Sequence, residues 1–407
     1  MKKKICFVAK RTDGLGERLR SMLNAIALSI IYDAEFKFYW DDVKFNQEGH
    51  AIDNKTKIFS LDFLDKYHID INELSFCKAV DSFFELKEDG CYFCDQTISR
   101  NLFVDTPEDY TKFQKELKHA FSFVEFSDSI KEAISFANEV NFEKGHIALH
   151  LRAGDLIYGS YHQCLGYVIK AMSYPIALKI IEEAQGSGQS VLVFGQDVEL
   201  IDMLVKKHNV LSSTSLIPNG LGRVEAAFFD IALMARCSEI YGGASGFAIL
   251  SGMIGDVNYI RPHTKFSNYE LVKEILNKLE SLADLEGVPM QQVSYACKSA
   301  LVFGNDILDE EQYSRLVYHG KNSDPTNVLF DFFDAWQCYK KGETGKAESI
   351  MNQVLCENEF KLEDFFIKNS LTPFLVSSFI RIFDPCVIEK NINKASTAKI
   401  YNMLISI

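Results

Sequence analysis

The first 40 residues alternate between short apolar runs and a helical periodicity. Residues 5–9 form an apolar run of the length of a buried strand, and residues 35–40 are predicted to form a second strand. Between them, from Glu17 onward, apolar residues recur at the spacing of one helix face: Leu19, Met22, Leu23, Ile26, Ala27 and Ile30. This strand–helix–strand opening predicts a parallel sheet.

The same alternation returns after residue 146. Strands are predicted at 147–151, 190–195, 239–241 and 258–260, separated by helices at 174–185, 198–208 and 223–236. The stretch between the two α/β segments is harder to interpret, with helices predicted near 107–121 and 127–140. Strands alternating with helices are typical of a sheet covered on both faces.

No further strand is predicted after Phe266. A helix is predicted at 269–282, and a helical hairpin at 327–341 and 344–357 turns at Gly342. The hairpin is weakly similar to a tetratricopeptide unit, but no second copy follows at that period, so a solenoid is not expected. We therefore predict three domains: an N-terminal α/β domain at 1–140, a second α/β domain at 146–266, and a helical extension at 267–407.

Composition and charge exclude several classes of protein. The chain has 407 residues, of which 47% are hydrophobic and 24% charged, as in ordinary globular proteins. Its net charge of −13 argues against nucleic-acid binding. No apolar run is long enough to span a membrane, and the run after Lys2–Lys4 is too short for a signal peptide.

The cysteines are scattered without a disulfide framework, which favours reduced thiols and a cytoplasmic protein. Cys91 and Cys94 form a C-x-x-C pair with no second pair nearby. We interpret them as buried thiols, with a zinc or redox site as the alternative.

Positive charge is concentrated at the start, because residues 1–20 carry a net charge of +5. A local positive pole on an acidic chain suits a small anionic ligand.

Gly14-Leu15-Gly16 lies between the first strand and its helix, where backbone N–H groups can approach a phosphate. A dinucleotide fingerprint would require a third glycine where Leu19 stands. A nicotinamide or flavin site therefore remains an alternative, as does a tight turn without a ligand.

Three polar segments follow predicted strands of the second sheet. The first is His150-Leu151-Arg152-Ala153-Gly154-Asp155, where strand alternation puts His150 and Arg152 on one face. Arginine can bind a phosphate through two parallel hydrogen bonds, and histidine can move a proton. The others are residues 194–197 and 243–247. Since open α/β sheets bind ligands at the carboxyl ends of their strands, these segments predict an anion-binding site. The chain contains neither a P-loop nor a D-x-D pair, so we expect no metal.

These segments together resemble the fucosyltransferase-like superfamily, which includes bacterial α-1,2- and α-1,6-fucosyltransferases and protein O-fucosyltransferases. The matching blocks are the glycine loop, the His150–Asp155 segment, and the stretch from Asp230 to Ser245-Gly246-Phe247. The resemblance covers roughly residues 5–262. It implies an α/β fold of two Rossmann-like domains of the GT-B type and inverting transfer without a metal. It also implies that a GDP-sugar donor binds to the domain 146–266 and that the domain 1–140 lies on the acceptor side.

Carried over by position, the resemblance assigns roles to particular residues. Arg152 would hold the β-phosphate and stabilise the leaving GDP, and His150 would line the same pocket. Asp230 would face the guanine, Ser245, Gly246 and Phe247 would hold the pyrophosphate, and Gly14 with Gly16 would close the donor site. Two positions depart from the family pattern: Glu17 stands for an asparagine, and Ala153 for a second arginine. The resemblance implies fucose as the first choice of sugar, and these two departures leave heptose and mannose open.

The acceptor base is predicted from position and chemistry. Asp155 follows Arg152 on the same turn, Glu17 lies on the glycine loop, and His162 lies on the next loop with a more suitable pKa. We rank them in that order. The predicted partners are a GDP-sugar and a glycan or lipid-linked glycan of the bacterial surface, with no nucleic acid.

We expect a cytoplasmic enzyme, with peripheral contact to the inner face of a membrane, or to a protein, through the helical tail as an open alternative. Two other functions also stay open. One is a different Rossmann-like enzyme such as an oxidoreductase, and the other is a non-enzymatic scaffold with a degenerate transferase fold.

Overall fold

A computed structural model describes residues 5–41, 53–79, 86, 89–141, 145–370 and 373–389. The strands are β1 (Ile5–Lys10), β2 (Glu35–Tyr39), β3 (Cys77–Lys78), β4 (Gly90–Cys94), β5 (Ile147–Leu151), β6 (Val191–Gly195), β7 (Leu211–Ser212), β8 (Glu239–Gly242) and β9 (Asn258–Ile260). The helices up to the last strand are α1 (Leu15–Ile31), α2 (Lys55–Ile58), α3 (Leu61–Tyr67), α4 (Pro107–Phe123), α5 (Asp128–Glu139), α6 (Gly154–Ile157), α7 (Tyr174–Gly186), α8 (Val198–His208), α9 (Arg223–Met234) and α10 (Gly246–Gly255). The helices after it are α11 (Pro262–Lys265), α12 (Asn268–Glu280), α13 (Leu282–Leu285), α14 (Met290–Phe303), α15 (Glu310–Ser323), α16 (Val328–Lys340), α17 (Thr344–Ser370), α18 (Pro373–Ile382) and α19 (Pro385–Glu389).

The first sheet has four strands in the order β2-β1-β4-β3, and each neighbouring pair is parallel. The predicted opening β1-α1-β2 is confirmed, and α1 packs its apolar face on the sheet. The hydroxyl of Ser21 on α1 donates to the Cys94 carbonyl at 2.6 Å, which ties the helix to β4. Strands β3 and β4 were not predicted, because β4 contains the C-x-x-C segment and β3 is only two residues long.

The second sheet has five strands in the order β7-β6-β5-β8-β9, with β5 at its centre. All five residues of β5 are buried, as expected for a central strand. Helix α7 connects β5 to β6, and α10 connects β8 to β9, which is the type of connection that parallel strands require. The predicted α/β class is confirmed, while the two Rossmann-like domains of the GT-B type stay a prediction.

By its contacts the chain divides into two compact units. Unit 1 contains Met1–His150, Leu211–Tyr241 and Ser245–Tyr259, and unit 2 contains Leu151–Val210, Gly242–Ala244 and Ile260–Ile407. This grouping differs from the predicted domains 1–140, 146–266 and 267–407, whose boundaries stay a prediction. Each unit is described below on its own.

Within unit 1, α9 packs against α5 and α10, and α10 packs against α1. The Arg236 guanidinium fixes the end of α9 to the end of α5, because it donates to the carbonyls of Ala137 and Val140. The contact between α10 and α1 brings the start of α10 beside the glycine loop.

Within unit 2, the helical hairpin is confirmed as α16 and α17, with Gly342 in the left-handed region at φ 74°. Helix α17 runs to Ser370 rather than to the predicted residue 357. The extra turns bury Phe365 and Phe366 against Phe332, with ring centroids 5.6 Å apart in each pair. In the described part of the chain, no helix is both long and apolar enough to cross a bilayer.

Candidate functional site

The glycine loop of unit 1 is fixed by Arg18, one turn into α1. Its side chain is buried, and its guanidinium donates to the carbonyls of Thr12 at 2.8 Å and Asp13 at 2.7 Å. It also stacks over the Trp40 ring, with 5.0 Å between the guanidinium carbon and the ring centroid. Arg18 therefore holds the loop that precedes α1 in one conformation. From the sequence, Arg18 was noted only as one of the positive charges near the start of the chain.

The positive pole itself is largely neutralised in the described residues. Each of its three arginines forms an ion pair with a carboxylate of unit 1. The pairs are Arg11 with Asp13, Arg18 with Asp41 at 2.5 Å, and Arg20 with Glu17 at 2.7 Å. Lys2, Lys3 and Lys4 lie outside the described residues. In the described part of unit 1, these three arginines are therefore engaged by carboxylates, and the backbone groups of the glycine loop are the candidates there for contact with an anion.

Gly16 lies directly against the first turn of α10. A Cβ on Gly16 would be 2.4 Å from the Phe247 nitrogen and 2.5 Å from the Gly246 carbonyl carbon. A Cβ on Gly246 would be 2.4 Å from the Glu17 carboxyl carbon, but that atom ends a flexible side chain that can move away. Two of the predicted blocks, distant in sequence, are thus in backbone contact, and Gly16 is the position at which a side chain would collide with backbone.

The start of α10 has the chemistry of an anion-binding site. The first N–H groups of any helix lack intrahelical partners, and the helix dipole favours negative charge there. Ser245 precedes the helix, is buried, and makes no capping hydrogen bond with its side chain. The Glu17 carboxylate lies beside Gly246, at this favourable position for an anion, while it is paired with Arg20.

His150 completes this group from the end of β5. Its imidazole stacks on the Phe247 ring, with centroids 5.7 Å apart and planes inclined by 25°. It is 7% exposed, so the ring is held by packing. The structure therefore brings together Gly16, Glu17, His150, Gly246 and Phe247, all predicted site residues, within unit 1.

Asp230 on α9 has an unusual environment. Burial raises the pKa of its carboxyl to about 7, and a hydrogen bond with the Ser213 hydroxyl only partly offsets this. Its Oδ1 is buried and has no hydrogen-bond partner among the residues that the structure describes. A carboxylate oxygen buried without a donor is costly, so Asp230 is poised to accept a hydrogen bond from a ligand.

Unit 2 contains the second half of the His150–Asp155 segment. The Arg152 Nη2 donates to both oxygens of Asp155, at 3.0 and 3.2 Å, so the carboxylate orients the guanidinium. Gly154, between them, has a positive φ of 24°. Gly195 at the end of β6 approaches the end of β5, because its Cβ would be 2.4 Å from the Leu151 carbonyl oxygen. The predicted strand end at 194–197 therefore lies beside the Arg152 turn.

Two buried side chains of unit 2 make long-range contacts that were not predicted, although one of them, Asp197, ends the predicted segment 194–197. Asp197 accepts hydrogen bonds from the Tyr158 hydroxyl at 2.5 Å and from the Gln292 amide at 2.6 Å, while it caps α8. Lys298 on α14 is almost completely buried and donates to the His162 carbonyl at 2.8 Å. Burial lowers the pKa of Lys298 to about 8. Neither group has a sequence motif, because each joins residues far apart in the chain.

The remaining predicted residue, His162, lies on the loop after α6. Its Nδ1 is 2.8 Å from the Gly159 carbonyl oxygen, which can only accept, so Nδ1 carries the proton and Nε2 is the basic nitrogen. Burial lowers the pKa of His162, so the imidazole stays neutral at a lower pH than an ordinary histidine does. Among the described residues, no group of three His, Cys, Asp or Glu side chains could hold a metal ion.

Comparison with known proteins finds neither a matching family model nor a matching curated protein. Solved structures do match. The fucosyltransferase NodZ from Bradyrhizobium is 16% identical, with 62% of this chain and 93% of that chain covered and a TM-score of 0.37. POFUT1 in complex with GDP-fucose is 13% identical, with coverages of 63% and 95% and a TM-score of 0.35. NodZ is a fucosyltransferase, and the POFUT1 structure contains GDP-fucose.

Proposed function

We propose that this chain is a metal-independent, inverting glycosyltransferase that transfers a sugar, with fucose as the first candidate, from a GDP-sugar to a hydroxyl group of a bacterial surface glycan. The observation that carries the proposal is the backbone contact of Gly16 with Gly246 and Phe247, beside His150. It places a glycine loop at a helix N-terminus whose N–H groups suit a diphosphate. Ser245 adds a hydroxyl at the same point.

Asp230 supports guanine as the base of the donor. A guanine presents two adjacent N–H donors, and a carboxylate can accept from both. Asp230 has a buried oxygen without a donor and a pKa raised to about 7. Uracil presents one N–H flanked by carbonyl oxygens, which a carboxylate would repel. We therefore expect GDP to bind more tightly than UDP.

Arg152 supports the chemistry of the leaving group. Transfer of the sugar leaves a negative charge on the β-phosphate, and a guanidinium stabilises such a charge without a metal. Asp155 holds the guanidinium in one orientation, which reduces the cost of organising it during the reaction. In this role Asp155 is a positioning residue rather than the acceptor base.

The same geometry changes the order of the candidates for the base. Both Asp155 and Glu17 form an ion pair with an arginine, so each carboxylate is already engaged by a guanidinium and would have to leave it to reach an acceptor hydroxyl. His162 offers a neutral Nε2, because its Nδ1 proton is directed to Gly159. We therefore propose His162 as the base ahead of Asp155 and Glu17.

The nucleotide prediction is tested by binding at several pH values. We expect the affinity for GDP to rise as the pH increases through about 7, because only ionised Asp230 accepts two N–H donors. Calorimetric titration of GDP and UDP into the protein from pH 6 to pH 8.5 measures this. The Asp230→Asn variant should bind GDP weakly and without this pH dependence. Asp202→Asn, at an exposed position of α8, is the matched control.

Equal affinity for GDP and UDP would refute the guanine assignment. A transfer assay with GDP-fucose, GDP-mannose and a GDP-heptose then identifies the sugar. Binding of a nicotinamide cofactor without any binding of GDP would instead favour an oxidoreductase. Tight GDP binding without transfer to any glycan would favour a scaffold.

A further inference from the structure

Three cysteines lie in a row across the first sheet. The strand register pairs Cys6 on β1 with Cys91 on β4, and Cys91 with Cys77 on β3. All three are partly exposed, and they share the sheet face that packs on Val8, Ile69 and Leu74, opposite α1. Neighbouring strands are about 4.8 Å apart, which lies within the Cα separation that a disulfide spans.

The sulfur atoms of Cys77 and Cys91 are already in contact, because the Cys77 thiol donates to the Cys91 sulfur at 3.0 Å. Cys6 faces Cys91 directly in the register of β1 and β4. A disulfide requires about 2.05 Å between sulfurs, so closure between Cys77 and Cys91 needs a movement of only about 1 Å. Cys94, three residues after Cys91, lies on the other face of β4 and is buried, so the C-x-x-C pair cannot form a disulfide within itself.

We propose that Cys6, Cys91 and Cys77 form a peroxide-sensitive thiol site, in which Cys6 is oxidised first and Cys91 closes a disulfide with it. The order follows from the direction of the hydrogen bonds. The hydrogen bond from Cys91, the largest effect, lowers the pKa of Cys6, while burial is the main cause that raises that of Cys77 to about 12. The thiolate is the nucleophile toward a peroxide, so Cys6 is the first to react.

The reaction balances with hydrogen peroxide as the oxidant. The Cys6 thiolate attacks one peroxide oxygen, the O–O bond breaks, and hydroxide leaves, giving a sulfenic acid. The Cys91 sulfur then attacks the Cys6 sulfur, its proton neutralises the leaving hydroxide, and water is released. Two thiols and one peroxide yield one disulfide and two waters. Attack of Cys77 on the Cys91 sulfur releases Cys6 again and moves the disulfide to Cys77–Cys91.

Peptide mapping of the oxidised full-length protein tests the proposal. After one equivalent of hydrogen peroxide and alkylation, the number of free thiols should fall from 10 to 8. The Cys91 peptide should be linked to the Cys6 or the Cys77 peptide, and a dithiol should restore all thiols. In Cys77→Ser only the Cys6–Cys91 link should form. In Cys91→Ser no link should form, and dimedone should trap Cys6 as its sulfenic acid.

The matched control is Cys94→Ala, which removes a thiol of the same strand on the opposite face. It should form the Cys91 disulfide to the same extent as the natural chain. Three results would overturn the proposal: an unchanged thiol count, disulfides confined to the exposed Cys356 and Cys386, or accumulation of oxidised Cys6 without any link to Cys91. Should Cys91→Ser fail to fold, the mapping of the natural chain and of Cys77→Ser still decides between these outcomes.

Discussion

Replacement of Gly16 by alanine should damage both the stability of the protein and its binding of GDP. The added Cβ would lie 2.4 Å from the Phe247 nitrogen and 2.7 Å from the Gly246 carbonyl oxygen, about 1 Å inside normal contact. Both neighbours are backbone atoms, so no side chain can rotate away, and the loop or α10 must move. Overpacking of this kind costs about 1–3 kcal/mol. For domains of a few hundred residues, that corresponds to a decrease in Tm of about 2 to 12 °C.

The effect on binding should exceed the effect on stability, because the displaced atoms are those that would hold the diphosphate. We expect the Kd for GDP to rise by about tenfold or more, equivalent to about 1.4 kcal/mol. Thermal unfolding without ligand and calorimetric titration with GDP measure the two effects separately. Gly345→Ala is the control, because its Cβ meets no atom within 4 Å and alanine favours the first turn of α17. If Gly16→Ala matched this control in both Tm and Kd, the loop could not form the cradle.

Three further experiments test the chemistry. Arg152→Ala should lower the transfer rate by about 10²–10³-fold without unfolding the protein. Arg152→Lys should not restore the rate, because an ammonium lacks the planar guanidinium that Asp155 orients. A normal rate in the alanine variant would remove Arg152 from the mechanism. Transfer should continue in an excess of chelator, as the absence of a D-x-D pair predicts, and a strict requirement for Mg²⁺ or Mn²⁺ would contradict it. Among His162→Asn, Asp155→Asn and Glu17→Gln, the first should lower kcat most. In the natural chain, the acidic limb of the pH profile of kcat should lie below pH 6.5, because burial lowers the pKa of His162. Near-native kcat in all three variants would place the base elsewhere.

The elements that the sequence predicted well are those whose periodicity is set by burial. β5 is buried at every position, and α1 presents a continuous apolar face to the first sheet, so both stand out in the pattern of residues. β3 and β4 do not, because β3 has only two residues and four of the five residues of β4 are partly exposed without a polar alternation. Cys91 therefore looked like half of a C-x-x-C pair, although its partners are Cys6 and Cys77.

The candidate site was predictable only where its residues are adjacent in the chain. The segment from His150 to Asp155 was found from strand alternation, and the Gly16 loop from its position before α1. The contact of Gly16 with Phe247 spans more than two hundred residues, and no local pattern reports it. The positive charge near the start misled in part for the same reason. Asp13 and Glu17 are visible beside Arg11 and Arg20 in the sequence, but the pairing of Arg18 with Asp41 appears only in the folded chain.

The helices after residue 267 illustrate how a fold can support a site from far away in sequence. The loop after α6 is partly buried, so its carbonyl groups require donors. Three of them receive donors from α14 and α17: Tyr295 donates to Val168 at 2.9 Å, Lys298 to His162 at 2.8 Å, and Asn369 to Gln163 at 3.3 Å.

Burial of the Lys298 ammonium costs free energy and lowers its pKa to about 8. The hydrogen bond to the loop offsets part of this cost, which packing of the helix alone would not do. In sequence Lys298 looks like an ordinary surface residue of a helix. Its hydrogen bond to the His162 carbonyl gives α14 a structural role, because it holds the loop that carries the proposed base. Contact of the tail with a membrane or a partner protein stays a prediction, but it is not needed to explain why these helices are present.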